Sequence, residues 1–175
     1  MRDDNEVLLA EYTAIQEFLR YLGDAQNSLF IFAFTASGAI LSFSVQQESP
    51  YIAIVNFVVL IAVRCRVMWF RNNYFNQSAY VKIILEPLLQ LESKKSHSVK
   101  WQGISVMQYF IYSFLGMGSA FVYILFDPYN IFALVLCIFL LGFVVFLDCY
   151  YFFGSNKLRD SLELQWTAIR DSESK

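Results

Sequence analysis

The sequence predicts an all-α membrane protein with four transmembrane helices and cytoplasmic amphipathic helices. Three observations predict it. Four long apolar runs divide the 175-residue chain, and none of its 13 Lys and Arg residues falls in either short connection between consecutive runs. Apolar residues also recur at helical spacing in each of the segments left over. Composition agrees: 57% hydrophobic and 18% aromatic residues exceed the soluble-domain norm of about half apolar.

The first element, 1–27, reads as an amphipathic helix. Leu8, Tyr12, Ile15, Leu19 and Leu22 recur at steps of four and three, which places them on one stripe. Gly23, Asp24 and Asn27 then mark a bend. The first transmembrane hairpin, 28–70, follows. Ser28 to Val45 is free of charge and long enough to cross a hydrocarbon core of ~30 Å at a rise of ~1.5 Å per residue. Pro50 to Val63 alone reaches only about 20 Å, so a full crossing must extend through Arg64 to Phe70. Arg64 and Arg66 would then snorkel to the headgroups, with Trp69 at the interface. A short buried or re-entrant helix is the alternative.

The segment 71–100 is expected to be cytoplasmic and helical, with Val81, Ile84, Leu88 and Leu91 on a stripe. Pro87 should kink it, because the ring clashes with the preceding turn. The second hairpin, 101–153, contains the uncharged runs Trp101 to Phe126 and Pro128 to Leu147, the latter extended by Tyr150 to Phe153. The tail, 154–175, repeats the amphipathic theme with Leu158, Leu162, Trp166 and Ile169. These three stripes can pack together as a small bundle or lie flat in the lipid interface. The acids Asp3, Asp4, Glu6, Glu11, Glu17 and Asp24 favour packing, since they would face anionic headgroups.

Orientation follows from the cations. Gln46 to Pro50 and Asp127 to Tyr129 carry only Glu48 and Asp127, whereas Lys and Arg crowd the middle segment and the tail. The positive-inside rule then places both termini in the cytoplasm, with two tight outward-facing turns. No cleavable signal is expected, because Met1 to Asn27 is acidic.

No catalytic constellation is present, and no cofactor or metal is expected. The single histidine, His97, has no second ligand at a metal spacing, and Cys65, Cys137 and Cys149 read as small hydrophobes in or beside spans. Phosphate loops, nucleophile elbows and paired intramembrane carboxylates are missing. An enzyme is therefore not expected.

Polar residues within the spans are the remaining candidates. Asp148, near the inner end of the fourth run, is costly in lipid and calls for a partner; Arg64 or Arg66 lies at matching depth. Ser28, Thr35 and Ser42 repeat every seven residues, with Gly38 beside them. Gln108, Tyr112, Gly116, Ser119 and Tyr123 share a stripe, and Asn56 lies midway along the second run. Thr35, Ser42, Asn56, Gln108 and Ser119 are accordingly candidates for helix contact or pore lining. Four closely packed helices leave no water-filled path, so a pore would form between protomers, lined by the first or third span.

The basic middle segment is the candidate ligand site: Arg64, Arg66, Arg71, Lys82, Lys94 and Lys95. Its arginines alternate with Trp69, Phe70, Tyr74 and Phe75, which joins charge to stacking surfaces of the kind single-stranded nucleic acid uses. Ordinary interface anchoring explains the same residues. A non-conducting scaffold that binds partners through its amphipathic helices also stays open, and a transporter subunit is weaker because few polar groups lie at mid-membrane.

Glu11-Tyr12, Phe32-Ala33-Phe34-Thr35-Ala36, Ala39-Ile40-Leu41, Arg71 and Ala79-Tyr80-Val81-Lys82-Ile83-Ile84-Leu85-Glu86 together resemble small four-span membrane effectors of bacterial anti-phage defence. The pore-forming effectors of the Hailong system are the nearest of these. The likeness covers the layout and about the first half of the chain, and Leu91-Glu92 departs from it where an aromatic residue usually precedes the acid. The resemblance implies a homo-oligomeric channel, expected to be tetrameric. A single-stranded DNA oligomer made by a companion nucleotidyltransferase would hold it shut, and loss of the oligomer would depolarise the cell.

Overall fold

The computed structural model describes the backbone of residues 2–89 and 101–173, and the side chains of residues 5–89 and 110–172. Among these residues there is no strand, and nearly all are helical. The first helix, α1, is Arg2–Gln46. The second, α2, runs from Pro50 to Leu88 and includes a π-helical turn at Val81–Leu85. The third, α3, is Trp101–Phe126, and the fourth, α4, is Ile131–Glu173. Asn5–Gln46, Pro50–Leu88 and Ile131–Ser172 are each long and apolar enough to cross a membrane, and Phe110–Phe126 is a shorter apolar stretch within α3.

α1 is uninterrupted at Gly23, where the sequence marks a bend. Its 45 residues run on as one helix, because Leu19, Leu22, Gln26, Ala33, Ser37 and Ser44 continue a single buried stripe in phase through that region. The turn after α1 is a Schellman arrangement. Ser49 N–H donates to Ser44 O at 3.0 Å and Glu48 N–H to Val45 O at 3.2 Å, with Glu48 in the left-handed region at φ 48°. Pro50 then starts α2, where a missing N–H costs nothing. The second turn is capped by Asn130, whose Oδ1 accepts the Ala133 N–H at 3.3 Å, and its Nδ2 donates to Tyr51 Oη at 3.2 Å, joining the two turns.

Pro87 leaves its mark ahead of itself. The Glu86 N–H reaches back to Val81 O, a five-residue step that widens the helix just before the ring. The burial pattern shifts along the segment: of the expected stripe Val81 is buried, Ile84 half-buried and Leu88 exposed, while Ile83 and Leu85 are buried in its place. Leu91 lies outside the described residues.

α2 is the central helix. It packs against α1, α3 and α4, whereas α1 and α4 flank it without meeting among the described residues. The core sits along its inward face, where Phe57, Leu60, Val63 and Val67 meet Ala33, Tyr112, Leu115, Tyr123, Cys137 and Val144. Gly116 permits the closest approach. A Cβ there would lie 3.2 Å from Leu141 Cδ1 and 3.3 Å from Phe57 Cε1.

Candidate functional site

The two turns lie at one end of the bundle and the chain termini at the other. Beyond the apolar core, the terminal ends of α1, α2 and α4 stay together as a three-helix extension. Tyr80 is its hub: the hydroxyl donates to Glu11 Oε1 at 2.8 Å, and the ring lies 4.9 Å from the Trp166 ring. Trp166 Nε1 in turn donates to Asn76 Oδ1 at 3.0 Å. Lys82 Nζ is 3.1 Å from Glu163 Oε1 at the rim, where both groups are partly exposed and the pair adds well under about 1 kcal/mol.

Inside the apolar region, polar side chains gather on the inward face of α2 in two tiers. In the first, Ser37 Oγ donates to Asn56 Oδ1 at 2.9 Å and Asn56 Nδ2 donates to Ser119 Oγ at 2.9 Å, so that one amide ties α1, α2 and α3. All three residues are fully buried. An asparagine suits this position because its amide offers both an acceptor and a donor, and each finds a hydroxyl.

The second tier is ionic. Arg64 Nε lies 2.9 Å from Asp148 Oδ1, and both side chains are essentially inaccessible. The other carboxylate oxygen, Oδ2, accepts the Ser113 hydroxyl at 2.6 Å and the Ser113 N–H at 3.0 Å. The guanidinium is sandwiched between the Tyr112 and Tyr151 rings, 5.1 Å from each centroid. Arg71 approaches the same Tyr151 ring at 5.3 Å. The pair thus joins the α1–α2 hairpin to the α3–α4 hairpin. Removing one member of such a pair strands the other charge and costs about 3–5 kcal/mol, far more than a single hydroxyl bond.

The predicted residues divide as follows. Asn56 and Ser119 meet in the first tier, and Asp148 pairs with Arg64 rather than Arg66. Thr35 and Ser42 lie on the outside of α1; Ser37 and Ser44 are the inward hydroxyls of that helix. Gln108 belongs to α3, but its side chain lies outside the described set. Of the ligand candidates, Arg64 and Arg71 are buried. Arg66 is exposed and stacks over Trp69 and Phe70 at 4.5 and 4.7 Å, and Lys82 is exposed beside Glu163. Lys94, Lys95 and His97 lie outside the described residues. Among the described residues no His, Cys, Asp and Glu group could hold a metal ion.

Ser37, Ser113 and Tyr151 were not anticipated. Extending the stripe Leu8–Leu22 in phase through α1 arrives at Ser37. Asp148, Tyr151 and Ser155 share a helical face by steps of three and four, a pattern present in the sequence. No protein-family model, curated protein or solved structure matches this chain.

Proposed function

We propose that this chain is a four-span, homo-oligomeric pore of a bacterial inner membrane, gated from the cytoplasm by an anionic oligonucleotide that favours the closed state. α3, at 26 residues and about 39 Å, supplies the fourth crossing, and both termini lie in the cytoplasm. The observation that carries the reading is helical continuity. α1, α2 and α4 leave the apolar region without a break and meet again at Tyr80, Glu11 and Trp166. A ligand that binds one arrangement of this extension better than another shifts the membrane helices with it, and only by that difference in affinity.

The layout shared with pore-forming effectors of anti-phage defence supports the same reading. A companion nucleotidyltransferase would supply the ligand. Arg64 and Arg71 are enclosed, so the ligand's phosphates would meet Arg66, with the exposed Trp69 ring offering stacking area, and Lys82 at the extension; Phe70 is buried. Lys94 and Lys95 complete the candidate set.

Purified protein in potassium-loaded liposomes tests this. Ligand-free protein is expected to release potassium, single-stranded DNA oligomers to suppress the release, and Arg66→Glu with Lys82→Glu to remove the suppression. Absence of flux at every protein density would favour a non-conducting scaffold instead.

A further inference from the structure

We propose that the conducting path runs inside each protomer, between the two hairpins, and that the Arg64–Asp148 pair closes its cytoplasmic end. The inference rests on the pore reading above and replaces the expected path between protomers. It comes from where the polar groups point. Thr35, on the outside of α1, satisfies its own hydroxyl on Ile31 O and Phe32 O at 2.9 and 3.1 Å, and Ser28 does the same on Asp24 O at 3.0 Å. Hydroxyls capped on their own helix are compatible with lipid and require no water.

The inward groups behave differently. Asn56, Arg64 and Arg71 descend one face of α2 at spacings of eight and seven residues, so a buried polar group recurs about every 11 Å. Asn56 and Arg64 bond across to other helices, in contacts that water could replace one for one. Leu60, Val63 and Val67 fill the intervals and keep the resting column dry. One polar tie would suffice to align four helices; a column of them, each costly in lipid, provides successive stations for water or an ion once the hairpins part. The pair is the natural closure. Of the two tiers that bond across to the other hairpin it is the one nearer the extension, and separating the hairpins must break it.

Liposome flux of ligand-free protein decides the matter in two ways. In chains whose Cys65, Cys137 and Cys149 are replaced by alanine, a methanethiosulfonate reagent should block flux through Ser119→Cys and leave Thr35→Cys and Ser42→Cys conducting. Replacing the pair by apolar residues of similar size, Arg64→Met with Asp148→Leu, exchanges a closure that water can hydrate for a water-repelling contact that stays shut, and should abolish flux while helicity and the oligomer profile in detergent are kept. Block at Thr35→Cys or Ser42→Cys, with Ser119→Cys unaffected, overturns the internal path and leaves the pore reading standing. So does undiminished flux in a folded Arg64→Met/Asp148→Leu protein. If the unaltered chain passes no ions, both readings fall together.

Discussion

At the scale of single residues, two buried polar contacts differ in weight, and the difference can be measured. Asn56 makes two neutral hydrogen bonds between helices, each worth roughly 0.6 kcal/mol in a membrane protein and at most about 1.7. Asn56→Leu is therefore expected to cost about 1–2 kcal/mol, read as a lower unfolding midpoint in detergent; an unchanged midpoint would mean that the tier contributes nothing. The Asp148 carboxylate instead gathers a guanidinium, a hydroxyl and a backbone N–H, and its loss alone would leave Arg64 buried without its counter-ion. The sequence made Asn56, Ser119 and Asp148 visible because polar side chains stand out in an apolar run. It did not distinguish Ser37 from Thr35. Ser28 to Val45 is apolar nearly all round, so the inward hydroxyl emerges only when the phase of the Leu8–Leu22 stripe is carried past Gly23, where the sequence marks a bend.

At the scale of elements, local pattern carried far and phase carried further than expected. The apolar runs and the stripes of the first and last extensions follow from spacing alone, and Leu8, Tyr12, Ile15, Leu19 and Leu22 all lie toward the bundle. The helix is not interrupted at Gly23, where the sequence marks a bend. A glycine beside Asp24 and Asn27 is a turn signal, but tertiary packing of a continuous stripe on both sides overrides it. Gly23 has no heavy atom within 4 Å of where a Cβ would stand. Gly23→Ala should therefore stabilise α1 by about 0.5–1 kcal/mol, seen as a raised thermal midpoint. A lowered midpoint would show that α1 needs to flex there. The π turn was not legible, since Pro87 announces a disturbance but not whether the helix kinks or widens to absorb it.

At the scale of the whole molecule, the account is of two hairpins held together by a polar column, with a helical extension at the terminal end. α2 touches every other helix and carries the column, the π turn and the exposed Arg66 and Lys82, and like α1 and α4 it runs unbroken from the apolar core into the extension. Topology is the premise on which the gate, the ligand face and the internal path all depend. Membrane-impermeant maleimide on intact cells addresses it directly, using Tyr129→Cys and Lys94→Cys in chains whose native cysteines are replaced by alanine. The account predicts that Tyr129→Cys is modified from outside and that Lys94→Cys reacts only after permeabilisation; modification of Lys94→Cys on intact cells would contradict it.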